Sequence, residues 1–131
     1  MVGIVLISHS RALAQGTAEL VGQIAGGEIR VVPAGGAVDG GLGTSVELIA
    51  AAIAAADSGG GIVLIADMGS SVLSARVLLA DLNVTARGSL LVLVDAPFVE
   101  GAVAAAVAAS GGLDLAAVVA AAEEARGARK L

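Results

Sequence analysis

Residues 2–10 read VGIVLISHS, an uncharged apolar run that stops at a Ser-His-Ser triplet. Ile4-Val5-Leu6-Ile7 lacks the polar–apolar alternation of a half-exposed strand, so both of its faces are expected to be covered. A strand buried on both faces belongs inside a parallel sheet, and open parallel sheets bind ligands beyond the carboxyl ends of their strands. His9, the only histidine of the chain, stands at that end of the first strand. Imidazole is a good nucleophile near neutral pH, which makes His9 the first candidate for chemistry. A structural or merely exposed histidine is the alternative.

Outward from this strand, residues 11–25 carry Leu13, Leu20, Val21 and Ile24 at a spacing that predicts a helix packed on the sheet. Ser10 is its expected N-cap and Gly26-Gly27 its stop. Residues 28–33 (EIRVVP) predict a short second strand, and 34–43, with five glycines, a loop. A helix over 45–56 follows, capped by Gly43 or Thr44, with Val46, Ile49, Ala50 and Ile53 inward. Residues 61–66 (GIVLIA) form the third apolar run, ending in Asp67-Met68-Gly69-Ser70-Ser71, with a helix over 72–82. Residues 89–94 predict a fourth strand, ending at Asp95. Helices are expected over 98–109, with Pro97 near its start, and from Asp114 to about Arg126, with Leu115, Val118, Val119 and Ala122 on one face. The order β-α-β-α-β-α-β-α-α predicts the α/β class: an open, mostly parallel sheet with helices on both faces. No linker or repeat divides the chain, so residues 1–131 are expected to form a single domain.

Composition removes several function classes. Seven basic against twelve acidic residues give a net charge of −5, with no basic cluster and one aromatic residue, Phe98. That argues against nucleic-acid binding. The absence of cysteine excludes a thiolate nucleophile or a Cys-based metal site, and one histidine with scattered carboxylates makes a poor transition-metal site. Neither a metal nor another cofactor is expected. The longest stretch free of charge, residues 101–113, is short of the roughly 18–20 residues needed to cross a bilayer. With no basic region ahead of the first apolar run no secretion signal is expected, and a cytoplasmic protein without membrane contact is the expectation.

Three strand ends carry polar side chains: His9, Asp67 and Asp95. Neighbouring first and third strands would bring His9 and Asp67 to the same sheet edge. A carboxylate on one imidazole nitrogen fixes the tautomer, frees the other nitrogen to attack and stabilises the cation that forms. Gly69-Ser70-Ser71 opens a helix, whose first-turn N–H groups suit an anion. Nucleophile, orienting carboxylate and anion cradle would then converge on a phosphoryl group. Asp67 as a turn residue and the Gly-Ser-Ser triplet as an ordinary cap are the alternatives, and Asp95 fits a turn before Pro97. The glycine-rich loop contains neither GxxxxGK[ST] nor GxGxxG, so no nucleotide site is read there.

The segments VLISHSRALAQG, GTSVELI, IADMGSSVLSA and APFVEGAVAA together resemble the phosphotransferase subunits (DhaM) of phosphoenolpyruvate-dependent dihydroxyacetone kinases. More broadly, the chain is similar to mannose-family enzyme IIA domains of the bacterial sugar phosphotransferase system. The match runs in order along nearly the whole chain. It implies a mannose-type enzyme IIA-like sheet, a homodimer and a transiently phosphorylated histidine at His9, with Asp67 as its partner and Gly69, Ser70 and Ser71 as the adjoining phosphate-binding turn. It also implies a donor, phospho-HPr, and an acceptor, ADP held by the nucleotide-binding subunit of dihydroxyacetone kinase. Some relatives carry fused HPr-like and enzyme I-like domains; this chain stops at Leu131 and is expected to rely on separate donors. A carrier serving two partners should set its histidine in an accessible apolar surface, for which Met68, Val72, Leu73 and Phe98 are the nearest candidates.

Other readings stay open. A mannose-family enzyme IIA domain would feed a sugar permease instead. A receiver-like signalling module also places an aspartate after its third strand. It would need an acidic pair where Ser8-His9-Ser10 stands and a lysine after a later strand, both missing here. A binding-only domain would leave His9 inert.

Overall fold

The computed structural model describes residues 1–82 and 90–131. Strands β1 (Gly3–Ser8), β2 (Val31–Gly35), β3 (Ile62–Ala66) and β4 (Leu91–Leu93) form one sheet in the order β2-β1-β3-β4. All three pairings are parallel. The fold is therefore the expected open α/β sheet. Helices α1 (Arg11–Ala25), α2 (Val46–Ala56), α3 (Gly69–Leu82), α4 (Phe98–Ser110) and α5 (Leu115–Glu124) cover it, and α5 tightens into a 3₁₀ turn at Ala125–Gly127. No helix among the described residues is long and apolar enough to cross a membrane.

Every residue of β1 is buried, because the strand lies between β2 and β3 with helices on both sides. Successive side chains point to opposite faces, which splits the core in two. Ile4, Leu6, Val63 and Ile65 pack with Val21 of α1, the alanines of α4 and Val118 of α5. Val5, Ile7, Ile62 and Leu64 pack with Ile49 and Ile53 of α2 and Ala75 and Leu78 of α3. The two helices that leave the central strands thus start on opposite faces, α1 after β1 and α3 after β3. A crevice opens between their N-termini, where the strand order reverses.

Several expectations are corrected. The second strand runs over Val31–Gly35 rather than 28–33, so it includes the start of the expected loop. Pro33 is tolerated there because β2 is an outer strand. Arg30 and Gly36 bond to β1 on either side of it, so even-numbered residues face β1 and the Pro33 nitrogen faces outward. The helix expected over 72–82 begins at Gly69, which makes Gly69-Ser70-Ser71 its first turn. On α1 the sheet-facing residues are Ala14, Thr17 and Val21, while Leu13, Leu20 and Ile24 are exposed. At the start of the helix the approach to the sheet is close: a Cβ placed on Gly35 would lie 2.5 Å from the Ser10 carbonyl oxygen and 2.7 Å from the Ala14 Cβ. Nothing larger than alanine fits between this end of α1 and β2.

On α2, Val46 is likewise exposed, and Ala52 and Ala56 are buried with Ile49 and Ile53. Ser10 and Asp114 cap α1 and α5 as expected, accepting from Leu13 N (3.2 Å) and Ala117 N (3.0 Å). Ser45, not Gly43 or Thr44, caps α2, accepting from Leu48 N at 3.2 Å. The described part of β4 starts at Leu91, and the expected start of that strand at Ser89 lies outside the described residues.

Gly35→Ala is expected to cost about 1–3 kcal/mol through overpacking. Gly16→Ala, in mid-α1 with nothing within 4 Å of the added methyl, should stabilise by roughly 0.5–1 kcal/mol. Urea unfolding of the two variants beside the wild type checks both signs.

Candidate functional site

His9 follows the last residue of β1 and Asp67 the last residue of β3. The parallel register pairs Ile7 with Ala66, and the ladder continues through Asp67 N–H, which donates to the Ile7 carbonyl at 3.0 Å. Adjacent strand ends therefore place the two side chains together, as their positions in the sequence suggested.

The Asp67 carboxylate is the centre of the cluster. Its Oδ2 accepts from Ser8 Oγ (2.9 Å) and His9 N (3.1 Å), and its Oδ1 from His9 Nδ1 (3.0 Å), Ser71 Oγ (2.7 Å) and Met68 N (2.8 Å). Burial raises the cost of its charge. Hydrogen bonds from Ser71, Ser8, the His9 backbone and the His9 ring more than offset this and lower the carboxyl from its ordinary 3.8 to about 2. An ionised carboxylate only accepts, so Nδ1 of His9 carries the ring proton. In the neutral ring Nε2 is then an acceptor, and the Ser70 hydroxyl donates a hydrogen bond to it. Ser71 spends its own proton on Asp67, so toward Nδ1, 3.1 Å away, it can only accept. The Nδ1 proton is shared between Asp67 and Ser71.

The Gly69-Ser70-Ser71 triplet is thus divided. Ser70 is exposed at Nε2, whereas Ser71 is fully buried on the Nδ1 side and its N–H already donates to the Met68 carbonyl at 3.0 Å. The amides of Gly69 and Ser70 remain as the open donors of that turn. Ser8 was missed as a member of the site. Its signal in the sequence was a hydroxyl in the last position of a strand buried throughout, where it needs a partner. Asp95 does not join the cluster: its side chain pairs with Arg126 at 2.8 Å and its N–H donates to Glu123 Oε2 at 3.1 Å. Of the apolar candidates, Met68 and Leu73 are each 62% exposed, while Val72 and Phe98 pack on the two cores.

The sequence model of the family described as PTS system fructose IIA component (EIIA-man) matches residues 3–119. The chain belongs to the EIIA-man family. Among EIIA-man relatives, it is 38% identical over 107 residues to the phosphoryl donor subunit DhaM of PEP-dependent dihydroxyacetone kinase 2 from Listeria innocua. That alignment covers 82% of this chain and 85% of the Listeria protein. It is 35% identical over 118 residues to the corresponding subunit of Providencia stuartii and 33% over 118 residues to that of Escherichia coli K12. There it covers 88% of this chain but only 24% and 25% of those longer proteins. The fold matches the crystal structure of a protein of unknown function, EF1359, with a TM-score of 0.86 and 36% identity over 99% of this chain and 98% of that one.

The Asp67 carboxyl sits below its unfolded value, so its stabilising effect is complete above about pH 4 and is lost as the pH falls toward about 2. The stability difference between wild type and Asp67→Asn should therefore shrink as the pH falls across that window. Denaturant unfolding of both proteins at a series of pH values measures this.

Proposed function

We propose that this chain is a phosphohistidine carrier that accepts a phosphoryl group on His9 from phospho-HPr. It then passes the group to ADP held by the nucleotide-binding subunit of a dihydroxyacetone kinase. One observation carries the reading: Nδ1 of His9 is tied to Asp67 while Nε2 faces the open first turn of α3. The names of the relatives, phosphoryl donor subunits, support it. In this reading the whole chain acts as one phosphocarrier domain, cytoplasmic and homodimeric, and the exposed Leu13, Leu20 and Ile24 of α1 offer an apolar face for the second copy.

The step follows from the geometry. The lone pair of Nε2 attacks phosphorus, and the bond between phosphorus and the donor's imidazole nitrogen breaks, its electron pair staying on the donor. The ring keeps its Nδ1 proton and gains positive charge, which the Asp67 carboxylate balances. The Ser70 hydroxyl turns from Nε2 to a phosphoryl oxygen, and the Gly69 and Ser70 amides face the same oxygens. Positioning and electrostatics supply most of the rate in such transfers. In the second step the β-phosphate of ADP attacks, and the P–N bond breaks back onto Nε2. Exposed Met68, just before α3, and Leu73, in its second turn, would give both partners an apolar surface to dock on.

A second reading, a mannose-family enzyme IIA domain feeding a sugar permease, is favoured by the family's own description as a fructose IIA component. Intact mass after incubation with phosphoenolpyruvate, enzyme I and HPr tests the shared chemistry. Wild type should gain one acid-labile phosphoryl group and His9→Ala none. No gain by wild type, with the donors active on another acceptor, would overturn both readings. Loss of that group on adding kinase subunits and ADP selects the first, and its loss only to a permease domain the second.

Asp67→Asn should slow phosphorylation by about 100-fold or more, because the wrong tautomer becomes accessible; rapid-quench kinetics would show it. Met68→Glu and Leu73→Glu should raise the KM for the donor with kcat little changed.

A further inference from the structure

The stretch GTSVELI, residues 43–49, takes no part in the chemistry described above, and Thr44 is not the cap of α2. Its hydroxyl is used elsewhere: Thr44 Oγ1 lies 2.6 Å from Ser74 Oγ in a partly buried contact between the loop and α3. Ser74 stands four residues after Ser70, and side chains four apart stack on one face of a helix. The preceding residue grips the other half of the site. Gly43 N–H donates to the His9 carbonyl at 3.0 Å, with φ at +137°, a conformation that side chains rarely adopt. Two consecutive residues therefore hold two different elements: Gly43 the main chain of His9, Thr44 the helix that brings Ser70 to Nε2 and Ser71 to Nδ1.

The loop itself is braced for this. It leaves the sheet with Gly36 N–H on the Ser8 carbonyl (3.0 Å) and closes on itself through Ala37 N to Gly41 O (2.9 Å) and Gly40 N to Ala37 O (2.9 Å). It returns to the site one residue further along, at His9. A segment fixed to Ser8 and His9 at its two ends is a rigid reference. The Thr44–Ser74 bond transfers that reference to α3, which starts on the other side of the crevice.

We propose that Thr44 is a positioning residue: its hydrogen bond with Ser74 sets α3 so that Ser70 stays on Nε2 of His9 and Ser71 beside Nδ1. The effect on transfer rests on the reading of His9 as the phosphoryl acceptor; the effect on the imidazole does not. A simple loop tether would alter stability and leave the ring nitrogens untouched.

His9 is the only histidine, so a protein labelled with ¹⁵N in its imidazole gives a single pair of ring signals. These are recorded for wild type, Thr44→Val, Thr44→Ser and Ser74→Ala at one pH where the ring is neutral. In Thr44→Val and Ser74→Ala the Nε2 signal should move toward the position of a nitrogen without a hydrogen bond. Thr44→Ser, which keeps the hydroxyl, should restore the wild-type position. Donor-driven phosphorylation should fall about 3- to 10-fold in kcat for Thr44→Val, the loss set by one neutral hydrogen bond, with KM unchanged and Thr44→Ser rescuing it. Wild-type Nε2 signals in a folded Thr44→Val or Ser74→Ala protein would overturn the proposal, and Ser74→Ala alone decides it if Thr44→Val does not fold. A wild type that accepts no phosphoryl group would remove the proposed function, while the ring signals would still decide the role of Thr44.

Discussion

The carboxylate of Asp67 accepts hydrogen bonds from the end of β1 through Ser8 and His9, from its own loop through Met68, and from the first turn of α3 through Ser71. A charge brought this far out of water is costly unless its oxygens are filled, and here both are. The same bonds dictate what the donors can do. Ser8 and Ser71 are fully buried hydroxyls that both donate to this one group, and His9 is held by its main chain and its ring at once. Neutralising Asp67 would loosen the junction of two strands and a helix, not a single contact. The proposed nucleophile is pre-oriented by the interaction that ties the sheet's central crevice together.

That crevice exists because of how the chain winds. From β1 the path goes outward to β2 over one face and comes back past β1 to β3 over the other. Helices α1 and α3 then start on opposite faces and spread apart just where β1 and β3 end side by side. Polar residues can gather there without breaking either core. In the proposed reaction, the absence of a nucleotide motif fits partners that hold the substrates themselves, with exposed Met68 and Leu73 available to meet them.

Tight packing at the β2 side has a visible consequence. Gly35 lets the start of α1 lie close to the sheet at Ala14; Thr17 and Val21 continue the inner face, and Leu13, Leu20 and Ile24 are turned out to solvent. Larger side chains would normally define the inner face of an amphipathic helix. Here only Val21 of the large apolar residues keeps that role, and Leu13, Leu20 and Ile24 mark a surface.

By itself, the sequence determined the fold class and the central pair. Uninterrupted apolar runs at Ile4-Val5-Leu6-Ile7 and Ile62-Val63-Leu64-Ile65, each followed by a polar residue and a helix, have few solutions other than neighbouring parallel strands delivering His9 and Asp67 to one edge. Periodicity is a local property, and it also located the caps Ser10 and Asp114, whose partners lie three residues away. What only the tertiary structure decided depends on distances between segments far apart in the chain. The close approach of Ala14 to Gly35 is one such distance. Ser71 was assigned to Asp67, and Ser70 alone to Nε2, by the height at which α3 starts against β1. Ser45 caps α2, and Thr44 meets Ser74, thirty residues on. Hydrogen bonds of that kind are chosen by the angle between packed elements, and no spacing within one element encodes it.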